Sequence, residues 1–101
     1  MAAVIIVTGR VQGRAEHIEE LLAASLAHVH RSRAEPGCLA HGVYRDVEDP
    51  LRLFFYEEWA DRESLMVHFA VPASLEFVTA VSTLAAAPPV LTIYDAERAQ
   101  P

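Results

Sequence analysis

The sequence contains no lysine and no asparagine, and all eight of its basic residues are arginine. With 14 acidic residues the formal net charge is -6, which argues against nucleic acid or an anionic membrane surface as the partner. The lone cysteine, Cys38, has no second cysteine to pair with, so a reduced, cytoplasmic setting is the simplest expectation. The apolar run at residues 4–7 is too short for a signal peptide, and no stretch approaches the length of a membrane-spanning helix.

The common cofactor and metal motifs are also missing. There is no glycine-rich phosphate loop, no zinc-type ligand spacing and no nucleophile elbow. His28 and His30 are two residues apart on a predicted helix, so they point roughly 200° apart and cannot share a metal as an i, i+4 pair does. Together with His17 they are predicted to be solvated surface residues. We therefore expect no metal and no cofactor.

What is present suits one domain over residues 1–101, with a loose tail at 97–101. Hydrophobic periodicity predicts strands at 3–11, 38–46, 51–59 and 90–96, with helices at 14–33 and 61–69 and another from Pro72. This order is the ferredoxin-like split βαβ arrangement of the α+β class. Its helices lie on one face of the sheet. Because the first and third strands are apolar on both faces, we expect the uncovered face to be buried in a homodimer.

The most informative stretch, residues 54–68, is an aromatic strand that leads directly into a short helix. Asp61 is the predicted N-cap of that helix. Strand alternation puts one set of side chains on the same side of the sheet: Leu53, Phe55, Glu57 and Trp59. The next helix places three residues on one face: Leu65, His68 and Phe69. A carboxylate and an indole should therefore lie beside a histidine with apolar neighbours, and any site is expected here.

His68 has the position that suggests chemistry. A neutral imidazole can take a proton from a phenol, and the phenolate is a better electron donor to oxygen. The alternative is a structural histidine hydrogen-bonded at the junction of helix and sheet. Glu57 could orient His68 as a carboxylate orients a catalytic imidazole, or it could form a salt bridge with Arg45 or Arg52, or a dimer contact. Trp59 could stack on a flat ring or anchor the core or an interface.

An ordered set of short motifs resembles the antibiotic biosynthesis monooxygenase family of dimeric α+β barrels. The set consists of Glu35-Pro36-Gly37-Cys38-Leu39, Asp49-Pro50, Tyr56-Glu57-Glu58-Trp59, Asp61, His68 and Pro72. The resemblance runs from the first strand to Tyr94. It implies a cleft between sheet and helices, and oxidation of a quinol, polyphenol or similar aromatic by molecular oxygen without metal, flavin or haem. It also implies His68 and Glu57 as catalytic residues, and we expect substrate contacts from Trp59, Phe55, Leu65 and Phe69.

The chain departs from the family pattern at several positions. Ala73 and Phe77 stand where many members have histidine and tyrosine. Phe55 and Leu65 stand where the polyketide-tailoring branch has asparagine and tyrosine, which speaks against the anthrone activity of that branch. A haem-degrading relative would need an asparagine on its first strand, and this chain contains no asparagine, which argues against haem degradation. The main rival hypothesis is a non-catalytic dimeric barrel that binds a small hydrophobic ligand or has a stress-related role.

Overall fold

A computed structural model describes residues 3–101 as an antiparallel sheet with helices against one face. The elements in chain order are β1 (Ala3–Gln12), a 3-10 turn (Ala15–His17), α1 (Ile18–Ser32), β2 (Cys38–Arg45), β3 (Arg52–Trp59), α2 (Arg62–Ala70), α3 (Pro72–Leu84) and β4 (Val90–Glu97). The strand order is β2-β3-β1-β4, and every neighbouring pair is antiparallel. The predicted ferredoxin-like α+β fold is therefore confirmed.

Local sequence signals set the ends of the two short helices. The Asp61 side chain accepts a hydrogen bond from the Ser64 backbone N–H at 2.8 Å, which is the predicted N-cap of α2. Val71 is extended because the following Pro72 disfavours a helical residue before it, and Pro72 then opens α3. The axes of α2 and α3 are bent by 68° at this point. Within residues 3–101 no single helix could span a membrane, although this bent pair would pass by length and composition together.

The helix-facing side of the sheet carries two apolar clusters separated by polar groups. The larger cluster lies under α1 and α3 and consists of Val11, Leu21, Val29, Leu53, Phe55, Val81 and Ala85. The smaller one lies by α2 and consists of Ile5, Val7, Trp59 and Leu65. Glu57 lies on β3 between Phe55 of the first cluster and Trp59 of the second, and is itself buried. The alternation predicted for β3 is thus confirmed, with a carboxylate placed in the middle of the core.

The buried face of α1 includes a histidine. Its buried residues are Leu21, Ser25, His28, Val29 and Ser32, whereas Leu26 is 47% exposed. The prediction that His28 is a solvated surface residue is wrong, because its ring stacks on Phe77 of α3 with centroids 4.1 Å apart. His30 is exposed as predicted.

Among residues 3–101, no helix covers the opposite face of the sheet. Strand alternation and register put a row of apolar and aromatic side chains on it: Val4, Ile6, Tyr44, Phe54, Tyr56, Val90 and Tyr94. Tyr44 is 58% exposed and Tyr94 is 48% exposed. We refer to this surface as the open sheet face.

Gly37 provides the first prediction. Its φ is +82°, and an added Cβ would collide with the Ser64 side chain, so we expect Gly37→Ala to lower the free energy of unfolding by about 1–3 kcal/mol. Urea unfolding would measure the loss. Gly9→Ala is the matched control, since a Cβ there meets its nearest atom at an ordinary 3.4 Å. Equal stability losses in the two variants would contradict the explanation.

Candidate active site

Three histidines from three different elements meet between the sheet and the helices. His28 of α1, His41 of β2 and His68 of α2 are 5%, 4% and 2% exposed. One ring nitrogen of each lies within 4.8 Å of those of the other two. The ring centroids are 5.2 to 5.6 Å apart. The three histidines are far apart in the sequence, so the sequence alone does not show that they meet. We call this arrangement the histidine cluster.

His68 is oriented by a carboxylate. Its Nδ1–H donates to Glu35 Oε1 at 2.7 Å, and a carboxylate only accepts, so the Nε2 lone pair of the neutral ring remains available to take a proton. One alternative for Glu57 was that it orients His68; Glu35, in the turn that ends α1, makes this contact instead. The reason is geometric: Gly37 turns the chain back, and its carbonyl accepts from the Ala60 N–H at 2.8 Å, next to the start of α2.

Glu57 has different partners. Trp59 Nε1–H donates to Glu57 Oε1 at 2.9 Å, and His41 Nε2 lies 3.4 Å from the same oxygen, too poorly aligned for a good hydrogen bond. Burial raises the pKa of Glu57, but His41, the Trp59 bond and the nearby His68 outweigh burial, so its pKa lies below the ordinary value. Glu57 is therefore a buried carboxylate at neutral pH. The alternative salt bridge to Arg45 or Arg52 is wrong, since both arginines pair with other acids.

His28 is held neutral. Burial is the main cause, followed by the neighbouring His41 and His68, and together they lower its pKa to about 3 from 6.5. The Arg31 Nη2 group lies 3.1 Å from His28 Nδ1. Because a guanidinium can only donate, Nδ1 accepts and the ring proton resides on Nε2. His28 thus presents an N–H donor where His68 presents a lone pair.

A cavity of about 200 Å³ opens beside the histidine cluster. Its polar lining includes His28, Glu57 and His68, and its apolar lining includes Phe55, Phe69, Phe77, Val81 and Leu91. An apolar cavity of about 150 Å³ can hold a benzene ring, so this one suits a single aromatic ring. A larger concavity of about 670 Å³ lies at the β2–β3 hairpin, but it is lined by charged and exposed groups such as Arg45, Asp46 and Glu48 and lies away from the buried titratable groups.

Four of the six predicted site residues line this cavity: His68, Glu57, Phe55 and Phe69. Trp59 and Leu65 are fully buried behind it, and the Trp59 ring packs 4.6 Å from the His68 ring. Sequence reasoning missed Glu35, His28 and His41. His28 could have been found, because it falls on the same helical stripe as Leu21 and Ser25. His41 could not, since its pairing opposite Glu57 depends on the register of β2 against β3.

The protonation state of His28 leads to a prediction about stability. An unfolded histidine takes up a proton below about pH 6.5, whereas the folded ring stays neutral down to about pH 3. The free energy of unfolding should therefore fall as pH falls from 7 to 5, with a slope that approaches about 1.4 kcal/mol per pH unit near pH 5. Glu57 adds nothing in this window, since its pKa is lowered from 4.5.

Denaturant unfolding at several pH values, with a chelator present, measures this dependence. His28→Phe keeps an aromatic ring against Phe77 and should show a shallower decline. His30→Gln removes an exposed histidine of the same helix and should keep the parent slope. A His28→Phe slope equal to that of the parent would contradict a neutral buried His28.

Comparisons with known proteins concern the family and the fold. Residues 4–80 match the model of the antibiotic biosynthesis monooxygenase family. An uncharacterised protein of Synechocystis sp. is 34% identical over 90 residues, which make up 89% of this chain and 61% of that protein. The chain thus spans less than two thirds of that relative's length.

Solved structures show the same fold at somewhat lower sequence identity to this chain. A conserved protein from Methanosarcina mazei superposes with a TM-score of 0.88 and 27% identity over 92% of both chains. A structure described as an antibiotic biosynthesis monooxygenase superposes with a TM-score of 0.86 and 28% identity, covering 93% of this chain and 99% of the other. On the match over residues 4–80, this chain belongs to the antibiotic biosynthesis monooxygenase family.

Proposed function

We propose that the protein is a cofactor-independent monooxygenase that oxidises a single-ring quinol or related phenol with molecular oxygen. The observation that carries the proposal is the His68–Glu35 pair, a buried imidazole with its Nδ1–H bound by a carboxylate at 2.7 Å beside an apolar cavity. This arrangement leaves an oriented lone pair where the hydroxyl of a bound phenol would lie. Membership of the family, and a related structure described as a monooxygenase, support the reaction class.

In the proposed reaction the protein supplies a base and a dry pocket. His68 Nε2 takes the phenolic proton, and the phenolate then passes an electron to O₂ more readily than the phenol would. The two radicals combine, one oxygen atom stays on the ring and the other leaves as water. A hydroquinone, C₆H₆O₂, and O₂ thus give a hydroxyquinone, C₆H₄O₃, and H₂O. All four electrons come from the substrate, so the balance requires no external reductant.

The neighbouring polar groups have complementary roles in this proposal. His28 carries its proton on Nε2 and so can donate to a developing oxyanion. Glu57 remains ionised, and its charge favours the protonated His68 that results from the proton transfer. Phe55 and Phe77 pack edge-to-face with ring centroids 5.9 Å apart and both line the cavity, which provides an aromatic wall for one flat ring. A polycyclic anthrone exceeds a cavity of about 200 Å³.

We further propose that the protein acts in the cytoplasm as a homodimer joined through the open sheet face. A monomer would leave that apolar surface in water, which soluble proteins rarely tolerate. A second copy presents the same apolar row, as a two-fold interface requires. An interface of this kind buries about 1,600 Å² in total or more.

The catalytic test uses His68→Gln. Glutamine can still donate to Glu35, so the fold should persist, but it has no basic nitrogen. We expect oxygen uptake with single-ring hydroquinones to fall at least tenfold, because a general base typically contributes about 10²–10⁴-fold to the rate. The loss should appear in kcat more than in KM. Circular dichroism would confirm that the variant is folded.

His30→Gln is the matched control and should keep the parent rate. Undiminished turnover by folded His68→Gln would overturn the assignment of His68. If the parent binds hydroquinones in the cavity but consumes no oxygen with any of them, the hypothesis of a non-catalytic, ligand-binding barrel replaces that of an enzyme.

The dimer is tested by light scattering coupled to gel filtration. The parent should have twice the mass of the 11.1 kDa chain. Ile6→Arg introduces a charge in the middle of the open sheet face and should shift the mass to that of one chain. Leu26→Arg, at a 47% exposed position on α1, should leave the dimer intact. A monomeric parent at micromolar concentration would contradict the interface.

A further inference from the structure

We propose that the histidine cluster binds a divalent transition-metal ion of the zinc type, and that this ion competes with substrate for His68. The proposal replaces the expectation from the sequence that the chain binds no metal, because the fold brings together histidines that the sequence keeps apart. Binding of the ion does not depend on the proposed oxidation, whereas its competition with substrate rests on that proposed function.

The donor set is the first argument. Three imidazoles from three elements converge with ring nitrogens within 4.8 Å of one another. Imidazole nitrogen suits zinc, copper, nickel and iron, and does not suit magnesium or calcium. Zinc–nitrogen bonds of about 2.0–2.1 Å in a tetrahedral site put ligand nitrogens about 3.4 Å apart. The widest pair therefore closes by at most about 1.4 Å when the ion binds. The cavity beside His28 and His68 leaves their rings space to move.

Two features beyond proximity point to a ligand. His68 donates Nδ1–H to Glu35, which is the carboxylate–histidine arrangement that orients metal-binding imidazoles. His41 is buried, and within residues 3–101 neither of its ring nitrogens has a well-aligned hydrogen-bond partner. An unpaired buried polar group costs about 1–3 kcal/mol. A metal ion at one of these nitrogens would satisfy it.

Arg31 works against the metal in this state of the protein. Its guanidinium donates to His28 Nδ1, which keeps the ring proton on Nε2. For Nε2 to bind a metal, that proton must move to Nδ1 and Arg31 must withdraw. Arg31 is exposed, and its other side-chain hydrogen bond goes to the Ala73 carbonyl at 3.2 Å, so it can turn outward. Removal of the guanidinium should therefore strengthen binding.

The same geometry predicts the functional consequence. The Nε2 lone pair of His68 cannot bind a metal ion and accept a phenolic proton at the same time. Zinc should inhibit the proposed oxidation competitively with respect to substrate.

Calorimetric titration of chelator-treated protein with Zn²⁺ tests binding directly. We expect one zinc per chain with a Kd in the micromolar range or below. His41→Phe and His28→Gln should each weaken binding at least tenfold. Arg31→Gln should strengthen it at least threefold, and the exposed-site control His30→Gln should match the parent. Because a variant at a buried position could unfold, each variant is first checked by circular dichroism. In a separate measurement, Co²⁺ binding to the parent should give the visible absorption of a nitrogen-ligated tetrahedral ion.

Several results would overturn the site. The site is wrong if the parent binds no stoichiometric zinc, or if folded His41→Phe or His28→Gln binds zinc with the parent's affinity. It is also wrong if Arg31→Gln binds zinc no more tightly than the parent does. If zinc binds as expected while the metal-free parent oxidises no quinol, the metal site stands and the proposed oxidation fails. If metal-free protein is active and zinc binds without inhibiting it, competition at His68 is wrong.

Discussion

The contact on which the candidate site most depends is the hydrogen bond from His68 Nδ1–H to Glu35 Oε1. It joins the turn at the end of α1 to the last turn of α2, and so spans 33 residues of sequence with one part-buried polar contact. Gly37 allows that turn at its positive φ, and the adjacent Ala60 N–H bond and the Asp61 cap fix where α2 begins. These constraints place the imidazole between the two apolar clusters with one nitrogen bound and the other available.

Around this contact the protein accepts a costly arrangement. Glu57, His41, His28 and His68 are all buried in the middle of the core, and polar groups in such places destabilise the fold unless they are paired. Some remain incompletely paired, including Glu35 Oε2 and both ring nitrogens of His41. A core selected for stability alone would place apolar side chains here. The cost is therefore best explained by chemistry, because sites that bind or react often retain groups that oppose stability.

The shared fold supports a range of chemistries, so the site itself must carry the functional argument. Departures from the common family pattern change the cavity: Phe77 stacks on His28 and closes one side, and Phe55 forms another wall. The result is a small aromatic pocket with one lone-pair nitrogen and one N–H donor. His68, which suits a proton transfer, belongs to the histidine cluster that also suits a transition metal, and Arg31 favours the metal-free arrangement.

Short-range physics let the sequence alone determine the order of strands and helices, the Asp61 cap, the Pro72 start, and which side of β3 is buried, since these depend on neighbours within a few residues. The family motifs indicated His68, and strand alternation and helix spacing indicated Phe55 and Phe69, all three of which line the cavity. Tertiary structure decided what long-range packing controls. The partner of His68 is Glu35 and not Glu57, His28 is buried because α3 places Phe77 over it, and His41 reaches the site through the register of β2 on β3. Contacts between residues distant in sequence depend on how the elements pack together, and the hydrophobic periodicity of the sequence does not specify that packing.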